Sequence, residues 1–330
     1  MSLLRQSPRF DVSQAQHLAR DAYGLEVTAS PLPSERDQNF LLTTAAGERY
    51  VLKIANASEE RAMLEAQNAA MAHVSRRVTF CPRVISTRAG ETIGAAGGGH
   101  FVRLVTYLPG VPLARVAGPE KAGLHQALGN AIGDIDAALA DFDHPAMHRD
   151  FHWDLANAER VIDEHLPKVR DHIERALVAR VAASSLSIVK TNQASLRYSV
   201  IHNDANDWNV LVDGDRIAGL IDFGDMVHSW TVADPAIAFA YAVLDHPDPL
   251  DVAVSFIRGY QNAWPLREAE LAALMPLVNL RLCMSACIAA WQRQQRPDDE
   301  YLRVSQAPIR RTLPVLAAIP ADAALNWRNS

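Results

Sequence analysis

The chain has 330 residues, 49% of them hydrophobic and 21% charged, which is enough for two folded lobes and excludes disorder as its main state. Its formal net charge of −6 predicts a mildly acidic surface, so nucleic acid is not an expected partner. The three cysteines, Cys81, Cys283 and Cys287, are too few for a disulfide framework and favour a reducing compartment.

The first hundred residues predict a small sheet with few helices. A helix over 13–23 ends at Gly24, and Ser58 is the expected N-cap of a second helix that ends near Val74. The glycine-rich segment 94–99 is typical of a flexible hairpin tip. The predicted strands are Phe40–Thr44 and Arg49–Ile54, joined at Ala46-Gly47, followed by Arg83–Thr87 and His100–Tyr107.

Residues Leu108–Pro112 interrupt this pattern, and helical periodicity dominates afterwards, with a strand-rich island at 199–222. We therefore expect two domains, an N-terminal lobe of residues 1–107 and a C-terminal lobe of residues 108–330. No uninterrupted apolar run approaches the length of a membrane span, and residues 1–10 lack the apolar block of a signal peptide. A cytoplasmic protein without a membrane partner is expected. The sequence carries no signal for an oligomeric state.

The segment from Val200 to Asp225 holds the polar residues that phosphoryl transfer requires. Asp204 and Asn209 lie in a polar loop between apolar strands, and a later strand ends at Asp222. In phosphoryl transfer one carboxylate orients the attacking hydroxyl, while an amide oxygen and a second carboxylate hold Mg²⁺. An ordinary polar loop is the alternative, but two separate motifs would then have to coincide at this spacing.

The pattern His202-x-Asp204-x-x-x-x-Asn209, followed by Asp222-Phe223-Gly224, resembles the catalytic and metal-binding motifs of the aminoglycoside phosphotransferase and choline kinase superfamily. The resemblance implies a two-lobed α+β, protein-kinase-like fold, with a small N-terminal antiparallel sheet lobe containing one key helix and a larger, mainly helical C-terminal lobe. It also implies a catalytic base that orients the substrate hydroxyl (Asp204), two metal ligands that serve catalysis (Asn209 and Asp222), a scaffold residue (His202) and a residue that braces the loop (Asp234).

The nucleotide-binding residues are expected in the N-terminal lobe. Lys53 lies in an apolar strand, where an ammonium group is costly unless it serves an anion or an acid, so it is the candidate phosphate-binding lysine. Glu65 is its expected partner, with Glu59 and Glu60 as competitors. The glycine-free segment 34–40 offers Ser34 and Asn39 to phosphates and resembles the hydroxylysine kinase branch of the superfamily. Val105 and Tyr107 belong to the expected hinge that contacts the base, and the donor is ATP or GTP.

The substrate side is less strongly marked. Residues expected to contact the acceptor are Trp153, Asp154, Asp207, Trp208, Asp225 and Arg281, together with Asp204. Arg281 has the chemistry to bind a substrate carboxylate bidentately, although a core-capping arginine is the more common case. Asp154 as a helix cap beside a packed Trp153 is an equally weighted alternative. Cys283 and Cys287 are expected to pack in the core rather than to bind metal.

Three functions fit these residues. The first is a kinase that phosphorylates a small amine-bearing metabolite such as hydroxylysine or a related hydroxy-amino acid. The second is a kinase for aminoglycosides or other antibiotics, whose polycationic substrates call for a larger acidic pocket than the modest acidic clustering here suggests. The third is a nucleotide-binding pseudokinase, which nothing in the motifs favours because Lys53, Asp204, Asn209 and Asp222 are all present.

Overall fold

The structure is a computed structural model that describes residues 7–34, 37–116, 123–295 and 305–327. It divides into two compact units, Met1–Pro109 and Gly110–Ser330. This division lies after residue 109, whereas the sequence places a boundary after residue 107. An antiparallel sheet in the first unit and a mainly helical second unit confirm the predicted α+β fold class.

The N-terminal unit is built on an antiparallel sheet of six strands in the order β1-β2-β3-β6-β4, with β5 also paired to β6. Apolar side chains from its central strands, including Phe40, Leu52 and Leu104, are fully buried and form the core. The elements are α1 (Val12–Tyr23), β1 (Val27–Leu32), β2 (Gln38–Thr44), β3 (Arg49–Ile54), α2 (Arg61–Val74), β4 (Val84–Ile85), β5 (Gly94–Gly97) and β6 (His100–Thr106).

Most of the predicted elements of this unit are present. Helix α1 ends at Gly24, which adopts φ +71° as a left-handed C-cap, and the β2–β3 hairpin has the predicted turn. Two predicted strands are shorter than expected, β4 by three residues and β6 by one. Strand β1 was not predicted; it is an edge strand that contains Pro31, and a proline within a short run argues against a strand.

Two local predictions in this unit are wrong. Ser58 is not an N-cap, because its backbone N–H and its hydroxyl both donate to Asn56 Oδ1, at 3.0 and 2.7 Å, and α2 begins only at Arg61. The Asn56 side chain holds Ser58 in a turn instead. Residues Gly94–Gly97 form strand β5 rather than a flexible tip, and the turn is confined to the glycines that follow.

The C-terminal unit is mainly helical, with two small sheets in the orders β10-β9-β7 and β11-β8. The strands are β7 (Val111–Pro112), β8 (Tyr198–Ile201), β9 (Val210–Asp213), β10 (Arg216–Leu220) and β11 (Val227–Trp230). The helices are α3 (Leu124–Leu139), α4 (Ala158–His165), α5 (His172–Asn192), α6 (Ala233–Ala242), α7 (Pro249–Ala263), α8 (Glu268–Gln295), α9 (Gln306–Leu316) and α10 (Ala323–Trp327).

Helix α8 runs through the core of this unit. An 18-residue window of it has a mean hydropathy of 1.8, so its length and composition would suffice to cross a membrane, although Asn279 and Arg281 interrupt its apolar sequence. Because 94% of the window is buried inside the protein, this is weak evidence for a span. Its cysteines, Cys283 and Cys287, are fully buried as predicted, and burial raises the pKa of both thiols, that of Cys287 to about 12.

Candidate active site

The loop between β8 and β9 is held by Asp234, near the start of α6. The Asp234 carboxylate accepts the backbone N–H of His202 at 3.1 Å and of Asn203 at 2.7 Å, and all three residues are fully buried. Asn203 adopts φ +66°, a conformation that is uncommon outside glycine, so the two hydrogen bonds fix a strained turn. These are the contacts that the bracing role of Asp234 requires.

Both carboxylate oxygens of Asp204 accept hydrogen bonds from side chains of the same unit. Asn206 Nδ2 donates to Oδ1 at 2.9 Å, Asn209 Nδ2 donates to Oδ2 at 2.7 Å, and Arg281 Nη2 lies 3.3 Å from Oδ1. Burial raises the pKa of Asp204 to about 8, the charge of Asp225 adds to the effect, and Arg281 opposes it. Asp204 is therefore a positioned carboxylate whose proton affinity suits a base near neutral pH.

Asn209 directly precedes β9 and Asp222 follows β10, so both residues lie at the open end of the β9–β10 hairpin. Asn209 Nδ2 donates to the carbonyl oxygen of Asp204 at 2.9 Å as well as to its carboxylate, which directs the Asn209 amide oxygen away from Asp204. The backbone N–H of Ile221 donates to the Asn209 carbonyl at 3.0 Å. This bond ties the residue before Asp222 to the loop, and Asp222 itself is left-handed, with φ +64°.

The oxygen donors of this region fit Mg²⁺. The negative charges of Asp225 and Asp222 both raise the pKa of Asp204, and a cation bound beside these carboxylates would offset that charge. Over the described residues, no group of three or more His, Cys, Asp or Glu side chains forms a metal cluster. Magnesium does not need one, because it is usually held by one or two protein oxygens together with substrate phosphates and water.

His202 is buried behind the loop. Its Nδ1 accepts the backbone N–H of Asp204 at 3.3 Å, and its ring packs edge-on against Phe223, with 4.8 Å between the ring centroids. Burial lowers the pKa of His202, which favours the neutral ring that this hydrogen bond needs. The contacts are those of a scaffold residue.

Arg281 reaches this site from α8 and is almost completely buried. Besides Asp204, it donates from Nη1 to the backbone carbonyl of Trp153 at 3.2 Å, and its guanidinium lies 4.6 Å from the Trp153 ring and 5.6 Å from the Tyr241 ring. Burial opposes the charge, but Tyr241 and Asp204 overcome this and raise the pKa of Arg281. Both Nη atoms are thus engaged within the protein, which leaves little room for bidentate binding of a substrate carboxylate.

The other substrate candidates have different surroundings. Asp154 is buried and accepts from Ala156 N–H at 2.9 Å and from the Ser229 hydroxyl at 2.5 Å, so it caps the short 3₁₀ turn that follows it. The structure therefore contains the capping arrangement that was the alternative for Asp154. The Trp208 ring lies 5.5 Å from the guanidinium of Arg115.

Asp207 and Asp225 contribute backbone contacts to the loop region. The carbonyl of Asp207 accepts from Ala114 N–H at 2.9 Å, and the carbonyl of Asp225 accepts from Asn203 Nδ2 at 3.1 Å. Both backbones are therefore fixed relative to the loop that carries Asp204.

In the N-terminal unit, Lys53 lies in the middle of the sheet. It stands opposite Asn39 on β2 and opposite Arg103 on β6, so these three polar side chains share one face of the sheet. Asn39 Oδ1 is buried and accepts no hydrogen bond from any residue that the structure describes. Glu65 is about half exposed and pairs with Arg61 Nε at 2.8 Å on its own helix.

The remaining nucleotide candidates lie in β6 or beyond the ends of strands. Val105 of β6 stands opposite both Val51 and Val84, and Tyr107 follows β6 with its ring 4.1 Å from the guanidinium of Arg49. Ser34 is exposed, just beyond β1. Residues 35–36 of the predicted phosphate-covering segment lie outside the described residues.

Two contributors to the site escaped prediction from the sequence. Asn206 holds Asp204, and a polar residue two positions after the base was the only available signal. Arg149 donates from Nη2 to the carbonyls of Gly224 at 3.1 Å and Met226 at 2.8 Å, which supports the turn after Asp222. No sequence spacing indicates this contact, because it joins residues 75 and 77 positions apart.

The chain is similar to several known proteins. The family described as APH, phosphotransferase enzyme family, matches residues 28–271. A hydroxylysine kinase of Mus musculus is 31% identical over 332 residues, which cover 90% of this chain and 87% of that protein. A homoserine kinase of Methylobacterium radiotolerans is 31% identical over 242 residues, which cover 72% of this chain and 72% of that protein.

Solved structures show the same fold. A microcompartment-associated aminopropanol kinase superposes with a TM-score of 0.68 at 20% identity and covers 93% of this chain and 99% of that one. An amicoumacin kinase in complex with AMP-PNP and Ca²⁺ also has a TM-score of 0.68, at 17% identity, and covers 94% and 95% of the two chains. At these identities the likeness concerns the fold alone.

Proposed function

The chain belongs to the APH phosphotransferase enzyme family, and from this premise we propose that it is a small-molecule kinase that acts on hydroxy-amino acids. It transfers the γ-phosphoryl group of ATP or GTP to the hydroxyl of an acceptor such as hydroxylysine. The observation that carries the proposal is the placement of Asp204, a buried carboxylate held by Asn206, Asn209 and Arg281 in a loop with kinase spacing.

Asp204 is the proposed base. Its carboxylate accepts the hydrogen bond of the acceptor hydroxyl, orients the oxygen toward the phosphorus and receives the proton as the new P–O bond forms. Two amide donors hold the carboxylate in one orientation, so little reorganisation is needed during the reaction. Because burial and Asp225 raise the pKa of Asp204 to about 8, its affinity for that proton exceeds that of an exposed aspartate.

Asn209 and Asp222 are the proposed ligands for Mg²⁺. A cation held by these two residues would neutralise negative charge that develops on the phosphates during transfer. The hydrogen bonds from Asn209 to Asp204 keep the base and the metal-binding amide in one fixed arrangement. Lys53 is the proposed phosphate-binding cation, with Asn39 and Ser34 as further phosphate contacts and Glu65 as its orienting acid.

The acceptor class rests on two relatives whose names both specify a hydroxy-amino acid, hydroxylysine and homoserine. The carboxylates of Asp207 and Asp225 and the ring of Trp208 suit the ammonium group of such an acceptor. We assign Arg281 to the base rather than to the substrate carboxylate, because its Nη atoms already contact Asp204 and the Trp153 carbonyl.

A coupled assay of nucleoside-diphosphate release tests this proposal. ATP and GTP are supplied in parallel with Mg²⁺, and the acceptors are hydroxylysine, homoserine, amino alcohols and aminoglycosides. Lysine is the matched control, because it differs from hydroxylysine only by the hydroxyl group that receives the phosphate. Release stimulated by hydroxylysine or homoserine but not by lysine is expected. Stimulation by aminoglycosides alone would replace the proposed acceptor class.

A further inference from the structure

Behind the catalytic loop, the C-terminal unit contains a carboxyl pair that phosphoryl transfer does not directly use. Asp136 lies on α3 and Asp234 on α6, and both side chains are completely buried. The charge of Asp234 and a side-chain interaction with it both raise the pKa of Asp136, so the two buried carboxyl groups act on one another. Two carboxyl groups in contact cannot both be ionised without a large cost, so the pair requires a proton.

The hydrogen-bond partners show where that proton lies. Both oxygens of Asp234 already accept backbone N–H groups of the loop, from His202 and Asn203. Asp136 Oδ2 accepts the hydroxyl of Tyr260 at 2.5 Å, whereas Asp136 Oδ1 is buried and receives no donor from the described part of the chain. A proton on Oδ1, donated to Asp234, satisfies every one of these atoms.

The charged neighbours do not supply an alternative. Arg197 acts on Asp136, but its guanidinium is bound bidentately by Glu270, with Nε–Oε1 at 2.7 Å and Nη2–Oε2 at 2.6 Å. Glu270 is completely buried, so this arginine already balances one carboxylate. Burial raises the pKa of Asp136 well above its usual range, the charge of Asp234 adds to this, and the influence of Arg197 is the smallest.

The helices that carry the pair are held at close range. A Cβ added at Gly129 of α3 would collide with the carbonyl of Phe256 on α7, and one at Gly259 would collide with the carbonyl of Gln126. Helices α3 and α7 therefore touch through their backbones, which fixes Asp136 and Tyr260 relative to each other. The close packing of the two helices thus holds the Tyr260 hydroxyl in place beside Asp136.

We propose that Asp136 is a positioning residue that stays a neutral acid, accepts the Tyr260 hydrogen bond and donates its own proton to Asp234. By this bond it fixes the carboxylate that holds the backbone of His202 and Asn203, and so sets the position of Asp204. The inference rests on the proposed function, because the position of Asp204 matters only if Asp204 is the base.

The test compares Asp136→Asn with Asp136→Leu. An asparagine amide donates to Asp234 and accepts from Tyr260, so Asp136→Asn keeps both bonds without a titratable proton, and its kcat is expected within about threefold of the parent enzyme. Leucine has a similar shape but neither bond, and a displaced base is expected to lower kcat about 10- to 100-fold while the KM for nucleotide stays nearly constant. Equal losses in both variants would overturn the proposal.

Two controls separate positioning from stability and from the proposed function. Leu128→Ala, on the same helix, removes buried apolar contacts without touching the carboxyl pair, so it is expected to lower the urea midpoint but not kcat. Difference infrared spectroscopy of the parent protein against Asp136→Asn at pH 7 is expected to show the carbonyl stretch of a protonated acid. That band needs no substrate, so its absence would overturn the protonated Asp136 and leave the proposed function standing. An inactive parent enzyme that shows the band would instead overturn the proposed function, and with it the effect of Asp136 on catalysis, while the protonated pair would stand.

Discussion

Around Asp204, in the C-terminal unit, both oxygens of the predicted base accept hydrogen bonds, and the supporting residues come from the loop itself and from α8. Glu65, in the N-terminal unit, is about half exposed and pairs with Arg61 of its own helix. The candidate residues of the two units are therefore held in different ways. Asp204 is held by residues of its own loop and by the distant Arg281, whereas the ion pair of Glu65 with Arg61 is local to α2.

The largest effect is expected from the C-terminal unit. Asp204→Asn removes the proton acceptor and keeps the shape of the side chain, so kcat should fall by about 10²- to 10⁴-fold while nucleotide binding persists. Steady-state kinetics and calorimetric titration with a nucleotide measure the two quantities. Turnover that remains at the parent level would show that the loop carries no base.

Lys53→Met tests the N-terminal half. The substitution removes a cation from the sheet face and keeps an apolar stem, so kcat/KM for the nucleotide should fall by about 10²-fold. Lys190→Met is the matched control, because Lys190 pairs with Glu159 on an exposed surface and should be neutral. If the two lysine variants behaved alike, Lys53 would have no part in phosphate binding.

Arg281→Met tests the support of the base from α8. Because Arg281 lowers the pKa of Asp204, which is about 8, removal of its charge should raise that pKa further. The base acts when deprotonated, so activity falls as the pH drops below the pKa, and the variant should lose about tenfold in kcat/KM at pH 7 but less at pH 9. Arg281→Lys keeps the charge, so its kcat/KM at pH 7 should lie between those of the parent enzyme and Arg281→Met. An equal loss for Arg281→Met at pH 7 and pH 9 would contradict this account.

Glu65→Gln should have an effect no larger than that of Arg281→Met. If Glu65 orients Lys53, as the sequence predicts, kcat/KM for the nucleotide should fall by about tenfold. Arg61→Gln breaks the same exposed ion pair, worth about 0.2–0.5 kcal/mol, and should leave catalysis unchanged. Identical kinetics for both variants would reduce Glu65 to a surface residue and leave Glu59 or Glu60 as the partner of Lys53.

The sequence predicted the parts of the fold that depend on local chemistry. The end of α1 at Gly24 and the β2–β3 hairpin follow from glycine conformation and from the alternation of apolar residues, both of which act over a few positions. The same holds for the loop from His202 to Asn209, where the spacing of acid and amide is itself the signal. Local rules failed at Ser58, because a neighbouring asparagine competed for its hydrogen bonds.

The class of fold, the family resemblance and the candidates for base and metal binding could thus be predicted from the order of the residues. The contacts that support these candidates could not, because Arg281 contacts Asp204 across 77 positions and Tyr260 contacts Asp136 across 124. Motif spacing cannot indicate such contacts, because they arise where separately formed helices pack together. Burial at these meeting points also shifts the pKa of Asp136 and of Asp204, a property that depends on the surroundings of each carboxyl group and not on its place in the chain.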